Sequence, residues 1–403
     1  MKRHWSINGR FLTQPTTGVQ RYAGEIVRAL DTLLAEDPQG LEVELLVPHG
    51  TEATLPLRNI AVRPVGRLSG HLWEQVSLPS QVRGGLLSLC NTGPVALDRQ
   101  IVCIHDLNTR LCPQSYTPAF RLLYRTLIPA LGRRAAAIST VSEYSAAELV
   151  RFGVCRADKL FVAPDGHEHI RRWAPEGAPS VSAFSGEDTI VLLGSRAPHK
   201  NTDLITGMAD RLALAGLRLA VVGGSDARVF GAGRGCAAAC NVALLGRLSD
   251  DELAALLRNC LCLAFPSLVE GFGLPPLEAM ALGCPVVVSD RASLPEICGD
   301  AALYASPDDA DAWFGCFMKL AANPALRRRV IERGLTAAGR FSWLASAERY
   351  LQAMAAMDGV PYSPMRNAAP QPDELREPCA GSTPMPSIEA ISSRYVSATR
   401  RHE

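Results

Sequence analysis

At 403 residues, with 41 lysines and arginines against 40 aspartates and glutamates, the chain has core enough for two domains and no large field of one sign. That balance argues against nucleic acid as a partner. No apolar run reaches the roughly 18 residues of a membrane span, and the basic start, Met1 to His4, lacks the apolar segment of a secretory signal behind it. The 12 cysteines are scattered. The close pairs Cys236/Cys240 and Cys260/Cys262 lack the two-residue gap and the histidine partners of a zinc site, so buried thiols in a reducing cytoplasm are expected.

Residues 5–12 form a short apolar stretch, 13–21 a loop, and 22–34 a run with Ile26, Val27, Leu30, Leu33 and Leu34 at helical spacing. Strand, loop and helix make the opening unit of a doubly wound sheet, where Gly18 lets the backbone approach a ligand. A plain tight turn fits the same residues equally well. Further strands are expected at 43–48, 86–90 and 101–104, the last running directly into His105 and Asp106. A histidine at the carboxyl end of a central strand sits where open α/β sheets bind ligands, and Asp106 is placed to orient it or shift its pKa. The bland alternative is a packing histidine.

Residues 119–134 read as an amphipathic helix kinked at Pro129. Phe120, Leu123, Leu127 and Leu131 share one face, and Arg121, Arg125, Arg133 and Arg134 lie elsewhere. This is either an ordinary surface helix or one that rests on an anionic membrane. A strand at 137–141 ends in Ser142, which can cap a helix at 146–152. Residues 165–187, rich in Gly, Pro, Ser and His, mark a domain boundary.

Beyond it, a strand at 189–193 ends in a loop with Arg196 and Lys200, before a helix at 202–214. Two cations there suit a diphosphate, one as a planar fork and one as a point charge. A strand at 217–222 follows. The glycine-rich segment 231–235 has no strand immediately before it and is no dinucleotide fingerprint. A strand at 242–245 leads to Ser249, which caps a helix at 250–257. Helices are expected at 309–320, 324–337 and 343–357, and the polar chain from 358 reads as a disordered tail.

The most informative stretch is 266–290, PSLVEGFGLPPLEAMALGCPVVVSD. Apolar runs enter and leave it as buried parallel strands, and between them lie a glycine loop and a short helix at 277–282 with prolines at its start. Glu270 and Glu278 bracket the loop. With Glu278 in the first helical turn, both acids sit where free N–H groups hold an anion beside bound hydroxyls.

These residues resemble a known family. Glu270 through Glu278, with Ala279-Met280-Ala281, Gly283-Cys284-Pro285-Val286-Val287 and Leu294-Pro295-Glu296, is similar to the paired-glutamate motif of retaining glycosyltransferases of family 4. Gly194-Ser195-Arg196 with Lys200-Asn201 resembles that family's donor-phosphate loop, His105-Asp106 its histidine motif, and 17–22 its first glycine loop. That loop has one glycine here, where many relatives have two.

The resemblance implies an α/β GT-B fold of two Rossmann-like domains facing a cleft. Residues 1–170 would form the acceptor side and 171–340 the donor side. A helix at 341–357 would pack back toward the first domain, with 358–403 a disordered tail. It implies that Glu270 bonds donor-sugar hydroxyls and Glu278 the ribose. Arg196 and Lys200 would neutralise the diphosphate, helped by N–H groups of Phe272, Gly273 and Leu274 beyond Gly271. His105 would touch the sugar, and Gly18 the phosphates.

Function by this likeness is retaining, metal-independent transfer of a hexose or deoxyhexose, mannose favoured. The donor is a GDP- or UDP-linked sugar, with no separate cofactor. The acceptor is a growing glycan or lipid-linked glycan in cell-surface polysaccharide synthesis. The location is cytoplasmic, with peripheral contact at the membrane's inner face. The competing readings are a silent glycan- or partner-binding subunit and a phosphorylase or epimerase on the same fold.

Overall fold

The computed structural model describes residues 3–52, 55–175, 179–194, 197–223 and 241–362. Seven parallel strands form the first sheet: β1 (Arg3–Asn8), β2 (Leu41–Pro48), β3 (Ala61–Val65), β4 (Gly85–Ser88), β5 (Gln100–Cys103), β6 (Ala137–Thr140) and β7 (Leu160–Val162), in the order β3-β2-β1-β4-β5-β6-β7. Six form the second: β8 (Thr189–Leu193), β9 (Arg218–Val222), β10 (Val242–Gly246), β11 (Cys262–Phe265), β12 (Val286–Ser289) and β13 (Ala302–Ala305), in the order β10-β9-β8-β11-β12-β13. Every residue of β4, β5, β11 and β12 is buried, as parallel strands covered on both faces require. In each sheet the order reverses beside its first strand, between β1 and β4 and between β8 and β11. Doubly wound sheets bind ligands outside the carboxyl ends of such strands.

Three strands escape the sequence pattern. The edge strand β3 carries Arg63 and Pro64 and is mostly uncovered, so it shows neither an apolar run nor clean alternation. The strands β7 and β13 span only 3 and 4 residues. The expected helix at 202–214 breaks at Gly207 into Thr202–Thr206 and Ala209–Leu214. Pro129 lies inside a helix that runs unbroken from Pro118 to Arg134. A short helix, Leu294–Cys298, forms at the Leu294-Pro295-Glu296 segment, to which the sequence assigns no element. The glycine segment 231–235 lies outside the described residues, as does the tail from 363.

The chain crosses back at its end. The helix Trp343–Met357 packs on the first helix, Gly18–Glu36, with the Tyr22 and Tyr350 hydroxyls 2.8 Å apart and Ser139 Oγ 2.7 Å from Tyr350. Asp358, assigned to the tail by composition, instead accepts from Arg3 and from the Trp5 indole and is nearly inaccessible. Two permanent hydrogen-bonding partners at the foot of β1 hold the start of that segment down.

Candidate functional site

The loops that follow β8 and β11 meet at the second sheet's switch point. Lys200 ends the turn after β8, and Glu270 lies in the loop after β11. Lys200 Nζ donates to Glu270 Oε1 at 2.6 Å, and the ammonium also sits 5.2 Å from the centre of the Phe265 ring. Leu268 N–H donates to the His199 carbonyl at 2.7 Å, so the two loops are joined by backbone as well. Arg196 lies outside the described residues.

Serines fix the Glu270 loop. Ser293 donates to the carbonyls of Glu270 (3.0 Å) and Phe272 (2.6 Å), while Ser142 and Ser145 of the first domain donate to the Gly271 carbonyl (2.5 and 3.0 Å). Three consecutive carbonyls are thereby held. Gly273 then turns the chain with φ +114°, a left-handed conformation that glycine alone adopts without strain, and caps the helix Leu274–Ala281. Pro275 and Pro276 fall in its first turn, where a missing N–H costs nothing.

Because this helix starts at Leu274 rather than 277, Glu278 falls in its second turn. Glu278 is therefore not at the free N–H groups but one turn below them, and it is buried. Its Oε1 accepts from His169 Nε2 at 2.8 Å and lies 3.5 Å from Arg21 Nε. Arg21 also grips Asp250 through both terminal nitrogens, at 3.0 and 2.6 Å. An alternating chain, Asp250–Arg21–Glu278–His169, thus bridges the domains. Beside it a polar cleft of about 600 Å³ is lined by Thr16, Gln20, Arg21, Trp173, Ser249 and Asp250, among others.

Gly18 is the first residue of its helix, not part of the loop before it. A Cβ there would meet nothing within 4 Å, so its neighbours alone do not demand glycine. Arg247 from the second domain donates to the Thr16 carbonyl at 3.0 Å, two residues earlier.

His105 differs most from expectation. Its Nε2 donates to the Leu89 carbonyl at 2.8 Å and its ring edge meets Tyr22, while Asp106 bonds the Asn108 N–H instead of the imidazole. Burial works against the imidazolium, but the Cys103 sulfur, the Leu89 carbonyl and Asp165 outweigh it, and its pKa is pushed up to about 9. What faces the second domain is the backbone of His105 and the Asp106 side chain. A Cβ on Gly271 would stand 2.5 Å from the His105 carbonyl oxygen. Burial pushes the Asp106 carboxyl up; the Asn108 N–H and His105 pull it back, and the fields of Glu270 and Lys200 reach it with opposite sign.

Further groups, some named in the sequence but given no site role there, meet at the cleft. Tyr124, Phe120 and Tyr116 stack in sequence (centroids 4.2 and 5.5 Å apart), and Tyr116 stacks on His199 of the second domain at 6.4 Å. Phe120 and Tyr124 share one helix face at a spacing of four, but Tyr116 precedes that helix in extended backbone, and its meeting with His199 was not legible. Glu296 accepts from the N–H groups of Glu143 and Tyr144 at 2.9 and 3.0 Å, capping a first-domain helix from across the cleft.

Comparison with known proteins agrees with this architecture. The sequence profile of the family described as glycosyl transferases group 1 matches residues 178–336. O-antigen chain mannosyltransferase B of Escherichia coli is 31% identical over 271 residues, which cover 62% of this chain and 68% of that protein. The fold is that of sucrose-phosphate synthase from Thermosynechococcus elongatus (TM-score 0.66, 20% identity, covering 89% of this chain and 99% of that one). It is shared with Anabaena HepE solved with UDP and glucose (TM-score 0.62, 14% identity, covering 88% and 100%). The two doubly wound domains are a GT-B fold, and with that profile and that mannosyltransferase relative the chain belongs to the glycosyl transferases group 1 family.

Proposed function

We propose that the chain transfers a hexose, mannose favoured, from a nucleotide-diphosphate sugar to a growing or lipid-linked glycan, with retention at the anomeric carbon and without a metal. The observation that carries this reading is the Lys200–Glu270 pair at the switch point, beside the start of the helix Leu274–Ala281. When the bond from the anomeric carbon to the diphosphate breaks, negative charge grows on the leaving oxygens. Lys200 and the N–H groups of Phe272, Gly273 and Leu274, ahead of the two prolines, would meet it, with Arg196 joining them. Glu270 accepts from hydroxyls of the donor sugar, and Glu278 serves the ribose. His105 acts through its backbone and its neighbour Asp106 at the cleft, and Gly18 opens room for phosphate at the first helix.

UDP and glucose in Anabaena HepE support a nucleotide sugar as donor, and the E. coli O-antigen mannosyltransferase supports mannose and a cell-surface glycan. On the acceptor side, the Tyr116–Phe120–Tyr124 ladder offers ring edges to a pyranose beside Asp106. The same helix leaves Leu122 (67% exposed) and Leu123 (39%) open, next to Arg121 and Arg125, as a helix docked on an anionic membrane face would. No helix among the described residues is long and apolar enough to cross a membrane.

The test is incubation with GDP- and UDP-sugars and oligosaccharide or lipid-linked acceptors, with and without chelator. Nucleoside diphosphate release and the product's anomeric proton signal are followed together. Release from GDP-mannose that survives chelator and yields the α-linkage is expected. Release from no donor would return the chain to a silent binding subunit.

A further inference from the structure

Glu278 draws its neutral hydrogen-bond partner from neither sheet. His169 belongs to the short turn Glu168–Arg172, in the first of the two chain crossings between the domains, and its side chain is fully buried. Its Nε2 lies 2.8 Å from Glu278 Oε1, and its Nδ1 lies 3.1 Å from the indole nitrogen of Trp343. An indole N–H only donates. Nδ1 is therefore the acceptor, the ring proton sits on Nε2, and Nε2–H points at the carboxylate. Trp343, the first residue of the C-terminal helix, sets this tautomer from the second crossing.

The two crossings are stitched together around the same residues. His167 Nδ1 donates to the Phe341 carbonyl at 2.7 Å, and Glu168 accepts from the Trp343 N–H at 3.1 Å. A Cβ on Gly166 would lie 2.3 Å from the Trp343 nitrogen, so only glycine admits this approach. Trp173 closes the other side, edge-on to the His169 ring at 5.3 Å. Rotation of one domain against the other must pass through this crossing. His169 is the side chain that carries its position to the donor site.

We propose that His169 is a positioning residue: it holds the Glu278 carboxylate in the orientation that receives the donor's ribose hydroxyls, and ties that orientation to the crossing of the two interdomain segments. The proposal rests on the reading of Glu278 as a donor-binding acid. The contacts from His169 and Arg21 both engage Oε1, and among the described residues none donates to Oε2, the oxygen left for a diol. A buried carboxylate whose hydrogen-bond partner is removed loses its fixed direction.

The experiment uses the full chain and the nucleotide sugar it turns over, with binding of the matching nucleoside diphosphate measured by calorimetry. His169→Phe is expected to raise the donor KM and the diphosphate Kd roughly tenfold, as loss of one charge-assisted hydrogen bond would, with kcat changed far less. His169→Gln, which can donate to Glu278 and accept from Trp343, should restore most of the affinity. Trp343→Phe should give a smaller rise and provides a second handle if His169→Phe fails to fold. In the double variant His169→Phe/Glu278→Ala the donor KM should equal that of Glu278→Ala alone, because His169 acts through Glu278.

Unchanged donor KM in His169→Phe, or effects that multiply in the double variant, would overturn the proposal while leaving Glu278 in place. Unchanged donor KM in Glu278→Ala itself would overturn the donor-site assignment, and the proposal with it.

Discussion

Lys200 and Glu270 pair at 2.6 Å, although they lie 70 residues apart and in loops that follow different strands of the second sheet. Both side chains are largely shielded, at 22% and 12% exposure, so neither charge is content without the other or a ligand. A donor entering this site meets a cation for its phosphate and an acid for its sugar, already fixed relative to one another. Lys200→Ala should lower kcat by roughly 10²-fold or more, the scale of a lost transition-state charge contact. Glu270→Ala should do likewise, and the double variant should be little worse than either. Single-turnover diphosphate release gives the comparison, and near-native rates in both single variants would sink the pair's role.

Gly271 lies in the contact between the two domains. Its carbonyl is taken by two serines of the first domain and its Cα lies against the His105 backbone, where a methyl group would stand 2.5 Å from a carbonyl oxygen. Gly271→Ala cannot close without moving backbone. It should cut turnover at least tenfold while shifting the melting temperature little, since each domain keeps its own core. Small-angle scattering should show a larger radius of gyration than wild type. An equal radius with full activity would mean that closure does not run through this contact.

Much of this was legible in the chain, and the gaps have physical causes. The segment 266–290 declared strand, loop and helix because both strands are uninterrupted apolar runs and the prolines flag a first turn. The same prolines misplaced the helix start by three residues: Leu274 looks like loop, yet as the residue after a left-handed Gly273 it is already helical. That slip put Glu278 at the N-terminus instead of below it. His105 was found by its place at a strand end, but periodicity carries no information on ring direction, which Leu89 and Tyr22 decide. Arg21 and His169 were invisible as site residues because their partners, Asp250 and Glu278, arrive from more than 100 residues away.

Asp165 gives a pH prediction. Burial pushes its carboxyl up to about 7, against the pull of His105 and with a push from Glu278, and its Oδ1 takes no hydrogen bond from the described residues. Unfolded, the group titrates near about 3.9. Folding therefore favours the protonated form, so its contribution is fully present below about pH 4 and is lost as pH rises through about 7. The loss is on the order of 4 kcal/mol at most, since each tenfold change in proton affinity is worth about 1.4 kcal/mol. Asp165→Asn should match wild type in melting temperature near pH 4 and exceed it near pH 8. A pH-independent difference in calorimetric scans would contradict the raised value.

The helix Pro118–Arg134 carries the last prediction. Leu127, Ile128, Leu131 and Gly132 are its buried positions; Leu122, and Leu123 one turn ahead of Leu127, stay exposed in its first half. Apolar side chains between arginines gain nothing in water. Against an anionic bilayer the leucines bury their surface, and each nearby arginine contributes about 1 kcal/mol. Arg125→Glu, which removes one favourable charge and adds an unfavourable one, should therefore weaken binding to anionic vesicles about 30-fold, from about 2 kcal/mol. Leu122→Glu should weaken it at least as much, and neither should alter diphosphate release from the donor when the acceptor is soluble. Sedimentation with phosphatidylglycerol vesicles against phosphatidylcholine vesicles reads this directly. Equal sedimentation of wild type and both variants would make this an ordinary surface helix.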